Sequence, residues 1–442
     1  MAFLGNGERK MQTNFSIAQL ADPDIQEVDG ILRKCVHCGF CTATCPTFSI
    51  LGDELDSPRG RIYLIKDWLE NDRPPSERVV THIDRCLTCL SCMTTCPSGV
   101  DYMHLVDQAR ARIETDYTRP FVDRALRELL AWMLPHPTRF RAALVAAWLA
   151  RPLAPVVRTL FGKRLGAMLG LAPAVIPPRG ETSHPRTFTA TGPRRKRVAL
   201  LTGCAQQVLA PAIHDATVRL LTRHGVEVVV AEGAGCCGAL TQHMGKTNAA
   251  QASARANIDA WGREMDGEGL DAIIINASGC GTTVKDYSHM LAGDPAYAER
   301  AIRIAEIARD VTEFIEEIGL NEPVDPNCMT VTYHSACSMQ HGQKIKTLPQ
   351  TLLRRAGFEV REPRDSHLCC GSAGTYNMLQ PDLADELRRR KSTHLNDTDP
   401  EVFAAGNLGC MTQLEGALDA PIVHTVELLD WATGGPKPAK LG

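Results

Sequence analysis

The residues best able to do chemistry in this chain of 442 are its seventeen cysteines, and their spacing matters more than their number. Cys35, Cys38, Cys41 and Cys45, the last followed by Pro46, form a C-x2-C-x2-C-x3-C-P run, and Cys86, Cys89, Cys92 and Cys96-Pro97 repeat it unchanged. Three closely spaced thiolates converge on one small inorganic core, while the residue before proline is biased towards extended backbone and carries the fourth sulfur away. This is the spacing of paired [4Fe–4S] sites in which the fourth cysteine of each run serves the other cluster. One cluster is therefore expected on Cys35, Cys38, Cys41 and Cys96, and the second on Cys45, Cys86, Cys89 and Cys92. Zinc also accepts four thiolates, but two zinc sites would not need such twelve-residue runs twice over. Cluster chemistry is one-electron chemistry, so this region should move charge and leave bond-making to something else.

Nine cysteines lie outside these runs, and eight of them form a repeat. Cys204 precedes Cys236 by 32 residues, and Cys337 precedes Cys369 by the same number. Both later cysteines open a Cys-Cys-Gly, Cys236-Cys237-Gly238 and Cys369-Cys370-Gly371, and each half closes with a Gly-Cys at Cys280 or Cys410. Glycine after the pair lets backbone come close to a bound group. Each quartet (Cys204, Cys236, Cys237, Cys280; Cys337, Cys369, Cys370, Cys410) is a candidate for a further cluster or metal; inert cysteines packed in a core are the alternative. The ninth, Cys328, is expected to be such an inert core residue. His334 and His341 flank Cys337, and with Ser335 and Ser338 they could tune a bound group; equally, His334 could satisfy a strand-end backbone group. Ser57-Pro58-Arg59-Gly60-Arg61 reads as an N-cap followed by a first helical turn, with Arg59 and Arg61 expected in solvent and contact with a cluster or a partner as the alternative.

These sites need elements to hold them. Short helices are expected around 24–34, 61–70 and 102–114, and proline-rich sequence between 115 and 195 reads as a helical connector with a loop. After Arg197, short β-branched runs alternate with amphipathic helical stretches, which argues for parallel α/β units. Strands are expected at 198–202, 226–230, 272–276, 329–334, 358–361 and 401–405. Cysteines that follow such strands gather at the C-terminal edge of a sheet, the usual ligand position. The fold expected is α+β overall. An N-terminal extension (1–20) precedes an α-helical two-cluster domain (21–115), a connector (116–195) and two Cys-Cys-Gly modules with parallel sheets (196–320 and 321–442).

Composition narrows the class. Charged residues are 22%, apolar ones 44%, and the formal charge is −3, the profile of a globular protein with no pull towards nucleic acid. The first ten residues contain no secretory pattern, so a cytoplasmic address and reduced thiols are expected. No uninterrupted apolar run is long enough to span a bilayer. The stretch from Ala142 to Leu171, apolar but interrupted by arginines and lysines, reads as an amphipathic helical segment that packs on its own protein or docks on a membrane surface or a partner. No dinucleotide fingerprint, phosphate loop, flavin signal or hydrolytic triad is present, and no catalytic residue is assigned.

The two cysteine runs, the Ser57–Arg61 segment and the paired Cys-Cys-Gly modules, in that order, resemble the iron–sulfur subunits of bacterial glycolate oxidase (glycolate dehydrogenase). The resemblance extends from about Met11 to the end, and Met11-Gln12-Thr13 looks like the usual start. It implies an N-terminal ferredoxin-type domain and FAD-binding dehydrogenase subunits as partners, which oxidise glycolate to glyoxylate. This chain would then take electrons from the partner's FAD towards a quinone-type membrane acceptor, at the inner face of the cell membrane. Lactate or glycerol-3-phosphate could replace glycolate. A reductase of the heterodisulfide type, with its own C-terminal cluster, is the second possibility; a structural partner whose metal merely holds the fold is the third. The fullest form of the Cys-Cys-Gly motif closes with C-x-x-C, whereas here the closing positions read Cys280-Gly-Thr-Thr283 and Cys410-Met-Thr-Gln413. This departure argues against a five-cysteine noncubane cluster.

Overall fold

Residues 11–153, 166, 173, 175–324 and 328–442 are described by the computed structural model. The proposed N-terminal extension up to Lys10, and most of the basic apolar stretch beyond Ala150, lie outside the described residues. The chain divides into two units, one comprising Met1–Arg119 with His243–Gly245, the other Pro120–Gln242 with Lys246–Gly442.

The helices of the first unit begin where the sequence supplies caps. Asp22 accepts from the Asp24 N–H ahead of helix Pro23–Lys34, Ser57 from Gly60 ahead of Pro58–Glu70, and Asp101 from His104 ahead of Tyr102–Asp116. Proline occupies the first position of the first two, where its missing N–H costs nothing. Apolar residues three and four apart then face one core: Val28, Ile31 and Leu32 meet Ile62, Ile65 and Trp68, and Leu105, Val106 and Ile113. Gly60 lies against the turn before it, since a Cβ there would sit 1.9 Å from the Glu54 carbonyl oxygen.

The second unit carries two sheets. Strands β1 (Arg186–Phe188), β2 (Lys196–Leu200), β3 (Val226–Val230), β4 (Ala272–Ile275) and β5 (Ala308–Asp310) lie in the order β1-β3-β2-β4-β5. Strands β6 (Thr330–His334), β7 (Glu359–Arg361), β8 (Val402–Ala405) and β9 (Ile422–His424) lie in the order β7-β6-β8-β9. Without β1, which pairs antiparallel, the two orders are the same and every pairing is parallel. The expected α+β class and duplicated parallel modules are what is observed, with β1 as an antiparallel addition.

The central strands β2, β4, β6 and β8 are buried on both faces, which is why they read as largely continuous apolar runs, whereas β1 and β7 are partly exposed. Val198 and Leu200 share a core with Val331 and Tyr333 of the other sheet, while Ala199 and Leu201 face a second core around Trp261. The modules are also joined by charge. From the helix Ala212–Arg223, Arg219 and Arg223 both donate to the carboxylate of Asp430, which is buried in the helix Thr425–Ala432.

The candidate iron–sulfur centres

The two cysteine runs of the first unit adopt one backbone shape. His37 and Gly39 have positive φ of 53° and 85°, and the residues at the same places in the second run, Thr88 and Leu90, have 50° and 62°. A left-handed leucine costs roughly 1–2 kcal/mol, so the second run holds this turn against the local preference. The turn lets the chain wrap around whatever the sulfurs hold. Cys45 and Cys96 are extended, at ψ of 116° and 114°, as residues before proline should be.

Sulfurs from both runs meet. Cys35, Cys38, Cys41 and Cys96 line one cavity together with Cys92, Arg59 and Tyr102. Burial pushes the Cys35 thiol up, and nearby Cys96 and Cys38 push it further. Burial takes Cys41 to about 11. Cys92 is raised well above the ordinary thiol value by burial, then by Cys89, Cys86 and Cys45. The neighbours of Cys35 and of Cys92 therefore each include the fourth cysteine of the opposite run. Crowded, buried sulfurs of this kind disfavour free thiolates and suit a cationic core. The donor set fits a pair of [4Fe–4S] clusters, and Cys35, Cys38, Cys41, Cys96 and Cys45, Cys86, Cys89, Cys92 are the residues that would hold them.

Arg61 was expected in solvent and is instead 1% exposed. Its guanidinium donates to the His82 carbonyl (2.7 Å), to Thr47 Oγ1 (3.0 Å) and to Asp56 (3.3 Å), and Nη1 reaches the Cys45 sulfur at 3.9 Å. Asp56, fully buried, also takes His82 Nδ1 at 3.0 Å and Arg85 at 2.9 Å. Burial alone would raise the Cys86 thiol. The guanidiniums of Arg61 and Arg110, the Thr88 N–H and the Tyr102 hydroxyl outweigh it and bring Cys86 below the ordinary value. Nothing in the local sequence signals this, because Asp56, His82 and Arg110 reach the site from three separate elements. Arg59 is half-buried, paired with Glu54 and lining the cavity of Cys35, Cys38, Cys41 and Cys96.

In the second unit each cysteine quartet sits beyond the C-terminal ends of three adjacent parallel strands. Cys204 follows β2, Cys236 and Cys237 follow β3, and Cys280 follows β4; Cys337, Cys369–Cys370 and Cys410 stand in the same way to β6, β7 and β8. The sulfurs run in contact from Cys204 through Cys236 and Cys237 to Cys280, and from Cys337 through Cys369 and Cys370 to Cys410. Gly238 and Gly371 share a φ of 91°. A Cβ on either would press on the carbonyl of Ala250 or Ala384, at 2.9 and 2.6 Å. Each also donates its N–H to the sulfur two residues back, Cys236 or Cys369, at 3.4 Å.

His334, at the end of β6, does not satisfy a strand-end backbone group: neither ring nitrogen has a hydrogen-bond partner among the described residues. His341 is bonded to the His367 carbonyl at 3.1 Å, and Ser338 Oγ shares a hydrogen bond with Ser278 rather than with sulfur. Cys328, expected in a core, is exposed; it precedes β6 at the sheet's entry edge, where the backbone turns out to solvent. Among the described residues no helix is long and apolar enough to cross a membrane.

Comparisons with known proteins agree with this division. Residues 31–100 match a 4Fe-4S dicluster domain, and residues 198–285 and 331–415 match a cysteine-rich domain. A solved Helicobacter pylori structure described as a hypothetical protein aligns over 95% of this chain and 74% of its own, with a TM-score of 0.51 and 11% identity, a likeness of fold alone. The probable glycolate oxidase iron–sulfur subunit of Bacillus subtilis (strain 168) is 31% identical over 96% of this chain and 99% of its own length. The glycolate oxidase iron–sulfur subunit of Escherichia coli (strain K12) is 42% identical, again over 96% and 99%. With two ferredoxin-type runs ahead of two cysteine-rich modules along its whole length, the chain belongs to the family of glycolate oxidase iron–sulfur subunits.

Proposed function

We propose that this chain is the electron-transfer subunit of a multi-subunit glycolate dehydrogenase, relaying electrons from a partner FAD subunit through two [4Fe–4S] clusters towards a quinone-type acceptor. Two bound clusters would supply one-electron acceptance and release. The oxidation of glycolate to glyoxylate is assigned to the partner's flavin, and the chain's own residues bind, space and tune. The observation that carries this reading is the meeting of the two runs, with Cys96 lining the cavity of Cys35, Cys38 and Cys41 while Cys45 stands among the neighbours of Cys92. Arg61 reaches the Cys45 sulfur, and the Thr88 N–H and the Tyr102 hydroxyl donate to Cys86; such contacts to cluster sulfurs raise a reduction potential. The proposed site of work is the cytoplasm, at the inner face of the membrane that holds the acceptor.

The test is anaerobic purification of the full chain, with iron and sulfide counted and EPR spectra taken along a reductive titration, followed by addition of the flavin subunits and glycolate. About eight irons, two interacting [4Fe–4S] signals and their reduction by glycolate only when the flavin subunits are present are expected. A chain nearly free of iron, or clusters that glycolate cannot reduce through the partner, would sink the reading.

A further inference from the structure

The two cysteine-rich modules differ at one buried position beside their sulfurs. Three residues before Cys204, the first module has Leu201; three residues before Cys337, the second has His334. Leu201 packs in an apolar core, so the scaffold accepts a hydrocarbon there. His334 is 1% exposed with both nitrogens unpartnered. A buried polar group left so costs about 1–3 kcal/mol, and a residue that incurs such a cost invites a reason.

The reason lies beside it. A His334 ring nitrogen and the sulfurs of Cys370 and Cys410 lie within 4.8 Å of one another, all three residues buried. Cys369 is in sulfur contact with Cys370, and Cys337 donates its S–H to Cys369 at 3.7 Å. Ligands held by one zinc at about 2.0–2.3 Å stand about 3.6–3.8 Å from each other. His334, Cys370 and Cys410 are thus within about an ångström of the spacing of donors sharing a single ion, and Cys369, outside that group, joins it through its contact with Cys370. In a [4Fe–4S] cluster each cysteine caps a different iron and the sulfurs stand further apart around the cube.

We propose that the second module is a mononuclear site for a divalent thiophilic cation of the zinc class, held by His334, Cys369, Cys370 and Cys410. Cys337 supports it from outside by its hydrogen bond to Cys369, and the Gly371 N–H does the same at 3.4 Å. The buried ammonium of Lys391, held by the Asp365 and Ser366 carbonyls, balances part of the negative charge of three thiolates. An imidazole and three thiolates close the tetrahedron and leave no open position, the mark of a structural site. This site stands beside the electron path proposed above and does not depend on it.

The test uses the full chain, expressed with added zinc and purified anaerobically, with zinc and iron counted and the zinc K-edge absorption spectrum recorded. Retained zinc with imidazole in its first shell is expected in the wild type. His334→Leu should lose the imidazole scattering and surrender zinc to a chelator at least tenfold more readily, with its iron unchanged. His334→Cys should keep zinc in an all-sulfur shell, and it decides the matter if the leucine variant is too unstable to purify. Wild-type chain without zinc, or imidazole scattering that survives in either variant, overturns the proposal. A low iron count with these zinc results would instead count against the electron path alone.

Discussion

The two cysteine-rich modules share a strand order, a left-handed glycine behind each cysteine pair and a sulfur chain in the same place, yet the groups around the sulfurs have diverged. In the first, Asn257 ties the cysteine loop by bonds to the Gly235 N–H, the Cys236 carbonyl and Tyr287. At the corresponding place, seven residues beyond the alanine that touches the glycine, the second has Lys391. The last strand of each leads into a capping box, built on Asp310 and Glu313 in the first and on His424 and Glu427 in the second. Backbone geometry is thus held in common while charge is free to change. Backbone must close around the sulfurs in one way, but several polar groups can satisfy the same loop.

The sharpest way to break the comparison is to cut the modules apart. Asp430→Ala leaves Arg219 and Arg223 without their buried carboxylate, and chemical denaturation should show a loss of about 3 kcal/mol or more; an unchanged midpoint would mean that the shared apolar core alone joins them. Next in size are the glycines. Gly238→Ala and Gly371→Ala each force a side chain into a left-handed turn and against a backbone carbonyl, for about 2–4 kcal/mol apiece. Equal losses at the two sites would support equivalent loops, and a loss at one site alone would refute the equivalence. Asn257→Ala and Lys391→Met should cost about 1–3 kcal/mol each by releasing buried carbonyls, with the lysine variant also altering the charge beside the second quartet.

The smallest effect is on pH dependence, where the two capping boxes should oppose each other. Burial raises the Asp310 carboxyl from 3.8 to about 6, so its contribution to stability is fully present below 3.8 and is lost as pH rises through about 6. Burial lowers His424 from 6.5 to about 4, so its contribution is present above 6.5 and is lost as pH falls through about 4. Between these values the two slopes offset. Asp310→Asn removes one of them, and the variant should lose on the order of 1–2 kcal/mol more than the wild type between pH 6.5 and 4, read from denaturation midpoints. Parallel curves for the two proteins would refute the assignment.

Much of this was legible in residue order. The 226–230 strand is observed at Val226–Val230, and the expected 401–405 strand at Val402–Ala405, because β-branched and aromatic runs buried on both faces leave a local trace. Strands β5 and β9 left none: three residues each, Ala308–Asp310 and Ile422–His424, are too short for periodicity and exist because a neighbouring strand offers an edge. The cysteine runs showed their spacing, but the left-handed Leu90 could not be read, since leucine has no preference for that conformation. The surroundings of Arg61 were misread for a different reason. A helix N-cap signature says where a first turn lies and nothing about which distant carboxylate will bury it, and Asp56 and His82 are 26 residues apart.

That buried arginine bears on how the protein is made. Arg61 cannot shed its charge, and it lies against a single buried carboxylate, Asp56, which it shares with His82 and with the partly exposed Arg85. In a newly synthesised chain Asp56 alone answers these donors, and sulfurs bound to an inorganic partner would add negative charge beside Arg61. With clusters held as proposed, maturation of the first unit would be a single event in which ordering of the polypeptide and capture of iron and sulfide complete each other, and a cell short of either should hand this subunit to its proteases.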